Sequence, residues 1–285
     1  MLQAAVQGLT KRIERWTALD GLADTVSGLL DPLTRPEPVK KLLSGTWLGH
    51  RLHPAVVTVP IGAWSGAAVL DLLDDERADY GADAMVVVGL AASLPSALAG
   101  ASDWVDTYGE SKRVGLVHLT LNVAAVSLYS ASAAARVLGR RKAGRALALT
   151  GLGTVAVSAW LGGHMAYVQA VGVDRRAFQH LPADWTPALA DEELPDSTPR
   201  VAKVNDTEVL LYRHEGRLYA LANRCGHEGG PLAEGEFDGQ CVVCPWHGST
   251  YRLADGFVVR APASAPQPVL DARVNNGMIE VRAQP

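Results

Sequence analysis

CGHEGGPLAEGEFDGQCVVCPWHGSTY, residues 225–251, decides how the chain is read. Two short Gly/Pro-rich stretches, Cys225-Gly226-His227 and Cys244-Pro245-Trp246-His247, each bring a thiol and an imidazole together, with sixteen residues between His227 and Cys244. Thiolates are soft metal donors and neutral imidazoles suit several transition metals. Such a loop pair reads as a metal centre. Zinc fingers separate their Cys pairs by two to four residues and their His pairs by three to five, so a Cys-x-His pair is too tight for that scheme. The three cysteines, Cys225, Cys241 and Cys244, fall within twenty residues of one another. That is a site pattern, not a disulfide framework, and Cys241 reads as a core residue of the strand before the second loop.

Outward from these loops the chain is a run of short strands. Glu208–Arg213 and Leu218–Ala222 flank the turn His214-Glu215-Gly216-Arg217, and Gln240–Val243 leads into the second loop. Asp255-Gly256 and Asn276-Gly277 are hairpin turns, each followed by an apolar or β-branched run. Residues 200–285 are therefore expected to form a small all-β domain. Before it, Pro182, Pro187, Pro195 and Pro199 with several acids and no apolar period read as a semi-rigid linker over 176–199.

The pattern C-x-H, sixteen residues, C-P-x-H-G resembles the Rieske domain family over about 200–283. The resemblance implies a 2Fe-2S cluster held by Cys225, His227, Cys244 and His247. In such centres two Cys bind one iron and two His the other, which raises the potential to about −150 to +300 mV. It also implies that Arg260-Ala261-Pro262-Ala263 forms a third loop near the cluster, and that His227 and His247 lie exposed at the tip. Rieske proteins of quinol-oxidising complexes carry an extra disulfide between the cluster loops. Gly230 and Trp246 stand at those positions here, so the chain is closer to ferredoxin-type domains. Ser249 and Tyr251 stand where high-potential members place hydroxyls that donate to a sulfide and a cysteine sulfur. Hydrogen bonds to sulfur favour the reduced, more negative cluster, so an intermediate potential is expected.

Upstream, four apolar stretches run over 55–73, 84–102, 114–135 and 146–173. Spanning a bilayer needs about 20 apolar residues. The stretches are rich in Ala, Gly and Ser, which lets helix backbones approach, and Pro60 in the first is a break that neighbouring helices can accommodate. Helices of a soluble bundle should show a charged face, and the second and third stretches show none. The expected architecture is multidomain: an amphipathic segment (1–45), an all-α four-helix transmembrane bundle (46–175), the linker, and the all-β Rieske domain. In the first segment Leu2, Val6, Leu9, Ile13 and Trp16 recur at helical spacing opposite Lys11, Arg12, Glu14 and Arg15. That pattern suits the membrane interface, packing on another part of the protein, or a homodimer contact. Near the spans one side carries seven Lys and Arg and the other six, too even to orient the chain. The missing signal-peptide pattern favours a cytoplasmic Rieske domain on a multi-pass cell-membrane protein. A net charge of −4 without a basic stripe argues against nucleic acid.

His53, His118 and His164 lie in or at the ends of the spans, where ionisable residues are functional candidates by default. His118 with His164, or His53 with His118, would ligate a haem b iron between facing helices, or one would hydrogen-bond a quinone. The structural alternative is a helix cap at His53 and a backbone hydrogen bond at His164. The set His53-Pro54, Pro60-Ile61-Gly62, Gly100, Asp103, His118 and Gly162-Gly163 resembles a small uncharacterised four-helix membrane domain family, some of whose members are fused to Rieske domains. The sequence points to a membrane-anchored one-electron carrier working with the bilayer, a quinone or haem, or a redox partner protein. One rival is the ferredoxin component of a separate oxygenase. The chain runs only 38 residues beyond His247 and shows no mononuclear-iron domain with two His and a carboxylate. The other rival is a redox sensor or assembly factor.

Overall fold

The computed structural model describes residues 2–73 and 75–284, with side chains from Gln7 onward, so Leu2 and Val6 of the expected stripe lie outside the described side chains. The chain divides into two compact units: Met1–Val39 with Leu52–Val171, and Lys40–Arg51 with Gly172–Pro285. The second unit thus includes a short segment that precedes the long apolar helices in sequence.

The helices in chain order are α1 (Leu2–Arg15), α2 (Asp20–Thr34), α3 (Glu37–Leu43), α4 (His53–Val56), α5 (Thr58–Asp71), α6 (Glu76–Trp104), α7 (Gly109–Val137) and α8 (Arg141–Tyr167). Pro60 has no N–H to offer the carbonyl of Val56 and accompanies the break between α4 and α5. The Asp75 carboxylate accepts from Ala78 N at 3.1 Å and caps α6. Gly139, at φ 69°, turns the chain out of α7. Four helices, α4–α5 taken together and α6, α7 and α8, are long and apolar enough to cross a membrane, and only 28% of each apolar window is buried. The outward faces carry Val69, Val87, Leu94, Val123 and Val157, a surface suited to hydrocarbon.

Inside the helical unit, Trp64 stacks on Tyr129 at 4.1 Å and 5°. A Cβ at Gly89 would lie 2.2 Å from the Trp64 ring and one at Gly151 2.9 Å from Tyr129, so the absence of a side chain is what admits the rings. The helices outrun the expected apolar stretches because their end charges fold into a network. The Arg136 side chain is 2% exposed, pairs with Asp71 and reaches Asp83 at 2.8 Å, while Arg141 and Arg145 both reach Asp79 at 2.6 Å. Of the readings of the N-terminal segment, packing on the rest of the unit describes its inner face. Ile13 packs with Val114, Leu161 and Met165, Ala23 with Trp104 and Leu116, and Arg113 donates to Asp20 at 2.6 Å. Leu9, Trp16, Leu22 and Leu29 remain outward.

The β unit holds β1 (Thr186–Ala190), β2 (Arg200–Val204), β3 (Thr207–His214), β4 (Arg217–Ala222), β5 (Glu236–Phe237), β6 (Cys241–Val243), β7 (Thr250–Arg252), β8 (Val258–Arg260), β9 (Val269–Asn275) and β10 (Met278–Ala283). They form two antiparallel sheets, β1-β10-β9-β4-β3-β2 and β5-β6-β7-β8. Glu215-Gly216 and Asn276-Gly277 are two-residue hairpin loops with positive φ at both positions, the geometry that matches strand twist. Strand β3 is buried on both faces. Leu210 and Tyr212 join Leu221, Leu232, Val242 and Tyr251, while Val209 and Leu211 join Leu270, Ile279 and Val281. Each fully buried leucine contributes about 1.5–3 kcal/mol.

The expected linker needs correction. Thr186–Ala190 is the edge strand β1, paired with β10, with the register shifting between Pro187 and Leu189. An edge strand tolerates proline because one row of its backbone groups has no ladder partner. Reading the prolines as spacers missed that tolerance.

Candidate functional site

Two loops of the β unit share one hydrogen-bond pattern. In the first, Cys225 N donates to Gly230 O (2.9 Å) and Gly229 N to Cys225 O (2.8 Å). In the second, Cys244 N donates to Ser249 O (2.8 Å) and Gly248 N to Cys244 O (3.0 Å). The glycine four residues after each cysteine has positive φ, 86° at Gly229 and 72° at Gly248, where a side chain would be strained. Each loop therefore curls its backbone around its own cysteine. The His227 N–H is directed to the Cys225 sulfur, and those of Trp246 and His247 to the Cys244 sulfur.

The loops face each other. The two thiols are neighbours whose ionisations influence each other, and the imidazoles of His227 and His247 lie 4.9 Å apart at 87°. The Cys225 contact, aided by the N–H donors, pulls the Cys244 thiol down to about 7. The same contact, with burial, pushes Cys225 well up. Cys244 is thus the readier thiolate. Tyr251 OH lies 3.1 Å from Cys225 Sγ, and burial lifts its own ionisation well above the usual phenol range, so it keeps a proton to donate. Ser249 is fully buried and its hydroxyl accepts from Ala263 N at 3.0 Å, which ties the second loop to the expected third loop. A Cβ at Gly230 would lie 2.9 Å from Cys244 Sγ and 3.0 Å from the Trp246 ring. The Trp246 indole packs closely on this glycine and joins the two loops.

Gln267 was not singled out by the sequence. Its side chain, 2% exposed, donates to Ala222 O (2.7 Å) and Arg224 O (2.8 Å) and accepts from Gly226 N (3.1 Å). It fixes the base of the first loop, and its sequence signal is slight: a polar residue between Pro266 and Pro268.

Exposure of both histidines also needs correction. His227 is 7% exposed, whereas His247 is half-buried beside Trp246, which is 53% exposed. Segment 40–51 packs against the first loop. Arg51 donates to Glu228 at 2.8 Å, and Thr46 Oγ1 donates to Ala263 O at 2.9 Å. Gly49, His50 and Arg51 line a cleft of about 60 Å³ with Asp174, His227 and Ser264. Burial first, then the charges of Arg51, His247, Lys40 and Arg175, hold His227 protonation well below its usual range. A neutral imidazole is the form that binds metal.

This donor set fits a binuclear cluster. Its two thiols and two imidazoles stand on two facing loops, one of each on either loop. Two irons bridged by sulfide need only two protein ligands each.

In the helical unit His53 and His118 approach to 6.4 Å, ring edge to face. His118 Nδ1 lies 2.7 Å from Ser158 O and its Nε2 lies 3.1 Å from Asn122 Nδ2, while His53 Nδ1 lies 2.9 Å from Ser96 O. His164 is engaged elsewhere, with Glu14 Oε1 at 2.8 Å.

Comparison with known proteins divides the chain in the same place. The Rieske 2Fe-2S domain family matches residues 184–274, and a family described as predicted membrane protein (DUF2231) matches residues 49–175. A human Rieske domain-containing protein is 41% identical over 70 residues, 23% of this chain and 45% of that protein. The ferredoxin component of the naphthalene 1,2-dioxygenase system of Pseudomonas aeruginosa is 30% identical over 80 residues, 28% of this chain and 77% of that protein. The chain thus spans less than half the length of the human relative. A solved complex of reduced oxygenase and oxidised ferredoxin in carbazole 1,9a-dioxygenase holds a chain 27% identical, covering 34% of this chain and 92% of that one, with a TM-score of 0.33.

Proposed function

Because the chain belongs to the Rieske 2Fe-2S domain family through residues 184–274 and matches the predicted membrane protein family over residues 49–175, we propose that it is a membrane-anchored one-electron carrier. The cluster that the family implies would be held by Cys225 and Cys244 on one iron and His227 and His247 on the other, and would supply a single-electron couple. Tyr251 donates to the Cys225 sulfur, and the loop N–H groups surround both sulfurs. These donors stabilise added negative charge and so favour the reduced state. Segment 40–51 keeps water from His227. His247 and the exposed Trp246 form the face where a redox partner protein approaches.

The reading rests on the two facing loops, each carrying a thiol and an imidazole, which bring the two imidazoles to 4.9 Å. Iron and sulfide analysis of the detergent-purified full chain, with EPR after reduction, tests it. Iron and labile sulfide in equal amounts, with the low-g signal of a reduced Rieske centre, is the expected result. Stoichiometric zinc without that signal would overturn it.

The name of the Pseudomonas relative supports a second reading, in which the partner is a separate oxygenase. Stopped-flow oxidation of the reduced protein by such an oxygenase separates the two. In the helical unit both ring nitrogens of His118 have protein partners, Ser158 O and Asn122 Nδ2, which favours a hydrogen-bonding role for that residue in the bundle core.

A further inference from the structure

We propose that Arg51, seated on Glu228, is a positioning residue that holds segment 40–51 over the His227 edge and raises the reduction potential of the site. This inference rests on the Rieske reading. Arg51 stands two residues before α4 and Arg175 follows α8 in the chain, yet both reach the same carboxylate. Glu228 accepts from Arg51 at 2.8 Å and from Arg175 at 3.4 Å, and it is the residue after His227. The Arg51 and Glu228 side chains are 11% and 18% exposed, so their charges act through a medium far less screening than water. Gly172, at φ 77°, gives Arg51 its room: a Cβ there would lie 3.0 Å from the arginine Cδ. The bond from Thr46 to Ala263 secures the same segment on the third loop.

Around Glu228 two cations meet one anion. One-electron reduction adds a negative charge beside them, and the surplus positive charge stabilises it. Arg51 therefore favours the reduced state, and Glu228 opposes it electrostatically while holding Arg51 in place. A clamp that mattered only for shape would shift the potential the same way whichever partner was removed. An electrostatic one shifts it in opposite directions.

The test is an EPR-monitored redox titration of the full chain in detergent. At fixed applied potential, Arg51→Gln should lower the reduced-to-oxidised ratio about tenfold, about 59 mV for one electron. Glu228→Gln keeps an oxygen to accept from Arg51 and should raise the ratio several-fold. Arg51→Lys should stay within about twofold of wild type, and the Arg51→Gln, Glu228→Gln double variant should return towards it. An Arg51→Gln ratio within twofold of wild type, or single variants moving in the same direction, overturns the proposal. If Arg51→Gln does not fold, Glu228→Gln decides against Arg51→Lys: the first must raise the ratio more than twofold and the second must not. A wild-type chain without the Rieske signal overturns the reading of the site itself. A present signal with an unmoved potential overturns this inference alone.

Discussion

The histidines of the two units share one chemistry and have opposite surroundings. In the helical unit His53, His118 and His164 each engage a protein oxygen, at 2.9 Å (Ser96), 2.7 Å (Ser158) and 2.8 Å (Glu14). In the β unit His227 and His247 sit beside cysteines on glycine-shaped loops, with their rings 4.9 Å apart. A histidine in an apolar helix has a strong reason to satisfy its nitrogens with whatever oxygen is near, because an unsatisfied polar group there is costly. Its presence alone is weak evidence for a cofactor. An imidazole held two or three residues from a thiol, twice, has no comparable structural explanation.

The largest expected effect lies on the β side of that comparison. Cys244→Ser should abolish the visible absorption and EPR of the cluster, while Cys241→Ser, outside both loops, should leave them intact. The reverse outcome would remove the basis of the contrast. Next in size is the helical unit's own buried charge. Arg136→Met removes the buried partner of Asp71, leaving it only the longer contacts to Arg145 at 3.5 Å and Arg141 at 4.0 Å, and should destabilise the unit by up to about 3–5 kcal/mol, read as thermal unfolding in detergent. Adding Asp71→Leu should recover much of the loss.

His118→Ala sharpens the comparison directly. It should cost about 1–3 kcal/mol through the partners it strands, with the reduced-minus-oxidised optical spectrum unchanged. A Soret and α-band pair present in wild type and lost in the variant would make the helical unit a second redox centre. Tyr251→Phe removes one donor to a cluster sulfur and should lower the reduced-to-oxidised ratio at fixed potential about tenfold, roughly 1.5 kcal/mol.

The smallest effect is a pH dependence in cluster-free protein. Cys244, at about 7, lies below an ordinary thiol at about 8.5. Its folded acidity is strengthened, so its contribution to stability is present above the ordinary value and lost as the pH falls through about 7. Alkylation by iodoacetamide should follow the same curve, with Cys244 half-reactive near pH 7 and Cys225 reacting only at much higher pH.

Much of this was legible in the residues and some was not. Period and length gave the four apolar helices, and Glu215-Gly216 and Asn276-Gly277 gave their hairpins, because those signals are local. The thiol–imidazole spacing gave the two loops for the same reason. Strand β1 was hidden because its partner is β10, far along the chain, and its proline looked like a linker residue. Gln267 was hidden because its hydrogen bonds run to backbone atoms more than forty positions away. The pairing of Arg136 with Asp71 and Asp83 was hidden because it joins residues more than fifty positions apart. Burial of His227 depended on segment 40–51, which the sequence divides between the amphipathic segment (1–45) and the four-helix bundle (46–175).

That segment also sets a schedule. Arg51 and Glu228 are 177 positions apart. Holding so long a loop closed is not prohibitive at equilibrium, since each doubling of length adds only about 0.6 kcal/mol. The order of synthesis is another matter. Residues 40–51 leave the ribosome before any of the four apolar helices, and Glu228 and Ala263 leave it after all of them. During translation the early segment waits, its docking face not yet made, while the membrane helices are inserted. The cover over His227 is therefore fitted at the end of biogenesis.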